Sequence, residues 1–193
     1  LTGRPGKSVM MLACPELRVV PATVHIPISE VPQRLNQPLL RHVIETTYHD
    51  LQRCFGLKNP RITVAGLNPH AGEGGTIGRE EEEIIRPVIA EFAARGMAIT
   101  GPFPADSLFH PAARERYDAA ICMYHDQALI PIKTIDFDGG VNVTLGLPII
   151  RTSPDHGTAE DIAGKGIANP SSLIAALRLA GEMARTSWAP DHG

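Results

Sequence analysis

The sequence predicts a three-layer α/β/α fold built on a mixed, mainly parallel sheet. Short apolar, β-branched runs alternate with helical periods, and the loops between them are a few residues long. Alternation of this kind is typical of a sheet whose two faces are covered by helices. The first two apolar runs are separated only by Pro15 and Glu16, which predicts an antiparallel hairpin within that sheet.

Length and composition indicate a globular protein and exclude several other classes. The 193 residues fit one domain or one lobe of a larger molecule, and 43% hydrophobic with 20% charged residues is ordinary for a globular fold. The net charge of −3, without a Lys/Arg cluster, argues against a nucleic-acid partner or an anionic membrane surface. No apolar run approaches the roughly 18 residues that a membrane-spanning helix needs.

Cysteine usage and the lack of a recognisable signal peptide predict a cytoplasmic location. The three cysteines, Cys14, Cys54 and Cys122, form no C-x-x-C pair and lie in apolar surroundings. We therefore expect reduced, buried thiols, as in most cytoplasmic proteins.

The first half of the chain predicts two strands, a long helix and a third strand. Apolar runs place the strands at 8–14, 17–28 and 62–64. His25 lies near the end of the second of these runs. Apolar residues then recur with a helical period over 39–55, with Pro38 suited to the first turn and Gly56 to the end.

A glycine-rich loop follows the third strand and carries Asn68, His70 and Glu73. Its five glycines allow positive φ angles and a close approach of the backbone to a ligand. The structural alternative is a flexible connection with a surface histidine. A helix is expected over 79–95, and the four consecutive glutamates in it are interpreted as a solvated first turn.

The second half of the chain predicts three more strands and a long final helix. The strands are expected at 97–100, 117–124 and 141–145. Asp106 is a reasonable N-cap for a short helix, and another short helix is expected at 159–163. The amphipathic period that starts at Asn169 and Pro170 predicts the last helix, over 170–187.

Three histidines lie at the end of, or just past, three of the predicted strands: His25, His70 and His125. Because ligands gather at the carboxyl ends of strands in an α/β sheet, these side chains are candidates for one divalent-metal site. Their spacing is too wide for a local metal motif, so three unrelated loop histidines are the alternative. Candidates to orient the imidazoles through hydrogen bonds are Asp106, Asp126, Asn68 and Gln127.

A second cluster of candidate residues follows His125. Lys133, Asn142 and Arg151 combine two cations with an amide, which is a suitable set for phosphate or carboxylate groups. The alternative is structural, with Arg151 forming an ion pair with Asp155. Together with three histidines, the cluster indicates an anionic, metal-chelating small molecule as ligand.

Four segments together resemble one enzyme family. They are GLNPHAGEGG at 66–75, GPFPADSLF at 101–109, MYHDQ at 123–127 and VNVTLGLPIIRTSPDHGTA at 141–159. In this order they closely resemble the 4-hydroxythreonine-4-phosphate dehydrogenases of vitamin B6 biosynthesis, and the likeness extends over essentially the whole chain. It implies a fold similar to isocitrate and isopropylmalate dehydrogenases, with two lobes and a homodimer whose metal site is shared between subunits.

The resemblance also implies roles for individual residues. The implied metal ligands are His25, His70 and His125, with zinc as the usual cation and magnesium or cobalt as alternatives. The implied substrate contacts are Lys133, Asn142 and Arg151, and the implied catalytic residues are Lys133 and Asp106. NAD would lie near the segment 145–158, with candidate contacts at Gly146, Asp155, His156 and Thr158.

The implied reaction oxidises 4-phosphohydroxy-L-threonine with NAD to a 3-keto acid. That acid loses carbon dioxide to give 3-amino-2-oxopropyl phosphate. Family members are longer, so residues 1–193 are expected to be a C-terminal portion that forms one metal-binding, dimer-forming lobe. The helix at 170–187 would belong to the interface with the other lobe.

Three alternatives stay open from the sequence. A related dehydrogenase would act on a four-carbon acid phosphate or an aromatic dihydrodiol. A catalytically inert lobe would bind metal and dimerise without turnover. A metallohydrolase that uses a histidine-bound water would cleave a phosphoester without NAD.

Overall fold

The computed structural model describes residues 8–157 and 160–187, and these form a seven-stranded mixed sheet flanked by helices. The strands, in chain order, are β1 (Val9–Cys14), β2 (Leu17–Pro21), β3 (Ile62–Ala65), β4 (Ile99–Phe103), β5 (Ala119–Cys122), β6 (Val141–Leu145) and β7 (Thr152–Pro154). Across the sheet their order is β4-β3-β5-β2-β1-β6-β7.

The helices cover both faces of this sheet. They are α1 (Val31–Arg34), α2 (Gln37–Phe55), α3 (Arg86–Ala94), α4 (Pro111–Arg114), α5 (His125–Ile135) and α6 (Ser171–Ser187). Shorter helical turns lie at Ile28–Glu30, Pro69–Gly75, Glu81–Ile85, Ala105–Ser107 and Glu160–Ile162. Helices α2, α3 and α6 pack on one face and α5 packs on the other, which confirms the predicted three layers.

Alternating side chains on the strands contribute to two hydrophobic cores. In β1, Met11 and Ala13 belong to the larger core beneath α2, α3 and α6, whereas Leu12 and Cys14 belong to the smaller core beneath α5. Successive residues of a strand point to opposite faces, so a strand covered on both sides needs apolar residues at every position. This explains the continuous apolar runs in the sequence.

Parallel pairing is confined to one half of the sheet. β2 pairs parallel with β5, β5 with β3 and β3 with β4. β1 pairs antiparallel with β2 and β6, and β6 pairs antiparallel with β7. The mixed sheet and the β1–β2 hairpin are thus confirmed. We call the edge where β2, β5, β3 and β4 end the carboxyl edge, and the opposite edge, where they begin, the amino edge.

Several elements have the predicted positions. Helix α2 contains the predicted period, begins where the Asn36 side chain accepts a hydrogen bond from Leu39 N, and ends at Gly56 with a φ angle of 70°. Strand β6 has the predicted bounds. Helix α6, Ser171–Ser187, lies within the predicted range 170–187 and reaches the last of the described residues.

Other elements differ from the prediction. Strand β2 ends at Pro21, so His25 lies beyond the strand rather than near its end. Helix α5 was not predicted, because Pro131 lies inside it and interrupts the helical signal. Strand β7 was not predicted either.

Two predicted features of short helices also differ from the structure. Asp106 is not an N-cap: it lies within the turn Ala105–Ser107, which has no side-chain cap. The helix expected at 159–163 is only the short turn Glu160–Ile162, and Ala159 lies outside the described residues.

The three cysteines are free and buried, as predicted. Burial raises the pKa of each thiol, most strongly at Cys122. Among the described helices, none combines the length and apolarity needed to cross a bilayer.

Candidate metal and anion site

The carboxyl edge collects the three predicted metal ligands on neighbouring strands. His25 follows β2, His125 follows β5 as the first residue of α5, and His70 follows β3. Because β3, β5 and β2 are adjacent and parallel, all three histidines follow strands that end at the same edge. Their common edge is therefore observed, and their role as ligands stays a prediction.

The imidazoles of His25 and His125 lie side by side. Their ring centroids are 5.6 Å apart, with the ring planes inclined by 45°. Nδ1 of His125 lies 2.7 Å from Oδ1 of Asp126. In a neutral ring this contact requires the proton on Nδ1 and leaves the Nε2 lone pair free for a cation. Asp126 thus makes the orienting contact that the sequence predicts.

His70 does not join the other two histidines in a compact three-ligand group within one chain. It lies exposed in the turn Pro69–Gly75. Within the described residues, the one group of three potential ligands whose atoms all lie within 4.8 Å is Cys14, Glu16 and Asp136. That group is at the amino edge, and burial raises the pKa of Cys14, which disfavours the thiolate that a metal needs.

Two of the predicted orienting residues have other partners. Gln127 accepts a hydrogen bond from Met123 N at 2.6 Å and donates one to Gly66 O at 2.8 Å, so it ties β5 to the loop after β3. Asn68 binds Glu80 and Glu81 instead of an imidazole. The expectation that these amides orient the histidines directly is wrong.

Asp106 stays close to the candidate metal site. It is exposed in the turn that follows β4, and this turn contacts the turn that carries His70. Because β4 runs parallel to β3, its carboxyl end brings Asp106 to the same edge. Four adjacent parallel strands therefore each deliver one predicted site residue to this edge.

A groove of about 860 Å³ opens beside His125. It runs between α5, which packs on β1, β2 and β5, and the β6–β7 end of the sheet. Its walls include the predicted substrate residues Lys133 and Asn142 and the predicted cofactor residues Asp155 and His156. Lys133 Nζ lies 2.8 Å from Asp155 Oδ2, so the ammonium group is paired across the groove.

Arg151 lines a second depression, of about 540 Å³, which shares Asn142 with the groove and also includes His25. The Arg151 guanidinium donates a hydrogen bond to Thr144 Oγ1 at 2.7 Å and is otherwise exposed. The alternative of an Arg151–Asp155 ion pair is wrong, because Asp155 pairs with Lys133. The predicted substrate residues thus line adjoining depressions that also reach His25 and His125.

The predicted nucleotide segment is held by a carboxylate that the sequence analysis missed. Gly146 has a φ angle of 76°, and its N–H donates to the buried Asp50 Oδ2 at 2.7 Å. Asp50 also binds Arg53, which donates to Leu147 O at 3.0 Å. A carboxylate on the buried stripe of an amphipathic helix was the available signal. Thr158, another predicted cofactor contact, lies outside the described residues.

Glu81 is the second residue that the sequence analysis missed. The run of glutamates was expected to be solvated, but the Glu81 side chain is fully buried. Its carboxylate accepts hydrogen bonds from Asn68 N at 2.7 Å and from Asn68 Nδ2 at 2.9 Å. The signal was its position one helical turn before the buried Ile85, which continues the apolar stripe.

Fold and site together define the class of protein: the chain is an α/β/α lobe of the isocitrate/isopropylmalate dehydrogenase type. Comparison with known families then gives the particular group. Residues 1–180 match the family described as "Pyridoxal phosphate biosynthetic protein PdxA", and the chain belongs to that family.

Individual relatives support this assignment. The chain is 65% identical over 184 residues to a 4-hydroxythreonine-4-phosphate dehydrogenase of Roseobacter denitrificans, covering 95% of the chain and 56% of that relative. A crystal structure of the Klebsiella pneumoniae enzyme of the same name superposes with a TM-score of 0.84 at 44% identity, covering 92% of this chain and 54% of that one.

A relative with a different name also superposes. It is a terephthalate 1,2-cis-dihydrodiol dehydrogenase of Burkholderia xenovorans, with a TM-score of 0.76 at 33% identity, covering 94% of this chain and 58% of that one. The chain spans about half the length of the relatives it matches.

Proposed function

We propose that this chain forms part of a cytoplasmic, metal- and NAD-dependent enzyme. In this proposal the enzyme oxidises 4-phosphohydroxy-L-threonine to a 3-keto acid, which decarboxylates to 3-amino-2-oxopropyl phosphate in pyridoxal phosphate biosynthesis. The observation that carries the proposal is the pairing of His25 and His125 at the carboxyl edge, beside a groove that contains Lys133. The names of the relatives supply the substrate.

The residues at the carboxyl edge fit a divalent cation such as zinc, with magnesium or cobalt as alternatives. Imidazole nitrogens are ordinary zinc ligands, and the Asp126 contact leaves His125 Nε2 available for a cation. When bound, such a cation polarises the oxygen of a substrate hydroxyl group. His25, His125 and His70 would hold it.

The groove residues suit an anionic substrate. Lys133 and Arg151 can donate charge-assisted hydrogen bonds to phosphate or carboxylate oxygens, and Asn142, between the two depressions, can donate through its amide. The Lys133 ammonium already binds Asp155, and its three N–H donors allow it to bind an anion at the same time. Lys133 and Asp106 are the groups we assign to proton handling.

The segment after β6 suits the hydride acceptor. NAD held here would supply the hydride-accepting chemistry, and the protein would contribute position and surrounding charge. Asp50 fixes the left-handed Gly146 through its backbone amide, and His156 and Asp155 line the adjoining groove. A fixed backbone at Gly146 allows a nucleotide to approach closely without a side chain in the way.

A second copy of the chain would complete the metal site. His70 does not meet His25 and His125 in one compact group within the chain, and a twofold partner can supply it. We also assign the exposed apolar face of α6, at Leu173 and Leu177, to contact with the part of the longer relatives that this chain does not span. Sedimentation analysis of the chain measures the dimer directly.

One assay separates the proposed function from its alternatives. The chain and a full-length relative are each incubated with 4-phosphohydroxy-L-threonine and a divalent cation, with and without NAD. Formation of NADH by the full-length protein alone supports a dehydrogenase of which this chain is a part. Metal binding without NADH in either protein supports an inert lobe, and phosphate release without NAD supports a hydrolase.

An aromatic cis-dihydrodiol is the second candidate substrate. The structural match to a terephthalate dihydrodiol dehydrogenase favours it, as do the apolar groove walls at Leu129, Phe137 and Ile162. The same NADH assay with a cis-dihydrodiol carboxylate decides between the substrates. A higher kcat/KM for the dihydrodiol would replace the phosphorylated substrate in the proposal.

A further inference from the structure

The glycine-rich turn that carries His70 has an unusual backbone. The residues His70, Ala71, Gly72, Glu73 and Gly74 all have φ angles between 45° and 77°. Three of these residues are not glycine, and the left-handed region is sterically unfavourable for each of them. A strained run of this length persists only when surrounding contacts hold it in place.

The buried carboxylate of Glu81 supplies those contacts. Its two oxygens accept the backbone N–H and the side-chain N–H of Asn68, and Asn68 O in turn accepts the N–H of Ala71. Hydrogen bonds through Asn68 therefore link the start of the left-handed run to Glu81. The carboxylate has no exposed surface, so water does not compete for these hydrogen bonds.

Three glycines in and around this turn leave room for the side chains of Glu81 and Asn68. A β-carbon at Gly72 would lie 2.5 Å from Glu81 Oε2, and one at Gly66 would lie 3.1 Å from Glu81 Oε1. A β-carbon at Gly78 would collide with the Asn68 amide. By contrast, Gly74 has a similar φ angle of 65° but no atom within 4 Å of its β-carbon position.

The position of Glu81 is fixed by the helical segment to which it belongs. Glu81 begins the π-helical turn Glu81–Ile85, and Pro87 in the next turn has no N–H to donate to Glu83 O. The side chain of Gln37 donates to that carbonyl instead, at 3.0 Å. The distorted turn is thereby anchored to α2. Single π turns of this kind are often found next to functional sites.

We propose that Glu81 is a positioning residue that holds the His70 turn in its left-handed form and so presents His70 to the cation. The role of Glu81 in presenting His70 to a cation rests on the proposed function. Its role in holding the turn in the left-handed form does not. Neutral donors alone contact the Glu81 carboxylate among the described residues, and every contact leads to Asn68. Asn68 also donates to Glu80 through its side-chain amide, but Glu81 alone binds both its backbone N–H and its side chain.

The test compares Glu81→Gln with Glu82→Gln. Glu82 is exposed and pairs with Arg86, so it controls for loss of a negative charge in the same segment. The amide that Glu81→Gln introduces would face the two Asn68 donors with a donor of its own. We expect the amides of Ala71 and Ile77, which close the turn, to exchange hydrogen at least about tenfold faster in Glu81→Gln and at the wild-type rate in Glu82→Gln.

Affinity for Zn²⁺ or Co²⁺, measured by calorimetric titration, is the second readout. Outer groups that orient ligands are typically worth about 10- to 100-fold in metal affinity. We expect Glu81→Gln to lose about tenfold and Glu82→Gln to match the wild type. Unchanged exchange in Glu81→Gln would overturn the locking of the turn, and faster exchange with unchanged metal affinity would overturn the positioning role.

A second pair of variants covers the case in which Glu81→Gln does not fold. Gly72→Ala and Gly74→Ala impose the same left-handed penalty, but only the methyl group at position 72 would displace Glu81. We expect Gly72→Ala to weaken metal binding at least about tenfold more than Gly74→Ala. Equal losses would overturn the proposal. If His70→Ala left metal affinity unchanged, the proposed metal site would fail, and hydrogen exchange would still decide the locking.

Discussion

The two edges of the parallel strands are built in opposite ways. At the carboxyl edge, His25 and His70 have left-handed backbones and exposed imidazoles. At the amino edge, Asp118 accepts hydrogen bonds from Arg61 N at 2.8 Å and from the Arg61 guanidinium at 2.9 Å, and Arg18 donates to Asp118 O at 3.2 Å. The histidine side chains at the carboxyl edge are therefore accessible to a ligand, whereas the charged groups at the amino edge are paired with each other.

This contrast separates function from stability within one sheet. The amino edge joins the starts of β2, β3 and β5 through charge-assisted hydrogen bonds, which stabilise the fold. The carboxyl edge retains left-handed backbone at His25 and His70 and leaves both side chains exposed, where a metal ion could bind them. Substitutions at the carboxyl edge should therefore change binding, and substitutions at the amino edge should change unfolding.

The largest effect is expected from removal of a metal ligand. His125→Ala deletes an imidazole from the His25–His125 pair, and we expect it to abolish retention of zinc through dialysis while the melting temperature of the metal-free protein changes little. Metal analysis after dialysis measures this. His110→Ala is the control, since His110 is exposed and makes no cap hydrogen bond. Unchanged zinc content in His125→Ala would contradict the metal site.

The next effect concerns anion binding in the groove. We expect Lys133→Met to weaken binding of 4-phosphohydroxy-L-threonine by about 10- to 100-fold, because a charge-assisted hydrogen bond is worth about 1.5–3 kcal/mol. Titration of the protein containing this substitution measures the loss, and a melting curve checks the fold. The exposed Lys165, changed to Met, is the matched control. Equal affinities in the two variants would remove Lys133 from the substrate site.

A smaller effect is expected from Asp126. Its carboxylate contacts His125 Nδ1, but its side chain is 71% exposed. We therefore expect a loss of zinc affinity at the lower end of the range of about 10- to 100-fold that is typical when a residue orienting a metal ligand is removed. Asp126→Asn should reduce zinc affinity by about tenfold, with a stability change below about 0.5 kcal/mol. Calorimetric titration measures it, with Asp161→Asn as the control. A loss as large as that of His125→Ala would indicate that Asp126 itself binds the cation.

The sequence was sufficient to place His25, His70 and His125 at one edge. Each follows an apolar run, and the rule that parallel strands end together needs no knowledge of side-chain contacts. The sequence was not sufficient for the residues that support them. Whether a carboxylate such as Asp50 or Glu81 is solvated or buried depends on what packs over it. The loop after β6 covers Asp50, and the loop after β3 folds back over Glu81.

The same limit applies to pairing in the groove. The closeness of Arg151 and Asp155 in sequence suggested an ion pair, but α5 brings Lys133 to Asp155 instead. Since α5 itself was hidden by Pro131, its side chains could not be placed from the sequence. Local patterns thus predicted the strands β1 to β6 and the two longest helices, α2 and α6, and the contacts between elements required the structure.

The last effect belongs to the amino edge and concerns stability alone. Burial raises the pKa of the Asp118 carboxyl, but hydrogen bonds from Arg61 and the charges of Arg61 and Arg18 outweigh it, so the pKa lies below its ordinary value. A carboxyl group whose pKa is lower in the folded than in the unfolded protein stabilises the fold above the unfolded value of about 3.9. This contribution is lost as the pH falls through the folded pKa.

Asp118→Asn should therefore lower the free energy of unfolding by about 1–2 kcal/mol near neutral pH, since it weakens charge-assisted hydrogen bonds. The deficit should shrink below about pH 4, where the wild-type carboxyl group also becomes protonated. Urea unfolding between about pH 3 and pH 7 measures both, with Asp161→Asn as the control. Zinc affinity should match the wild type. A deficit independent of pH, or a change in zinc affinity, would show that the two edges are coupled rather than separate.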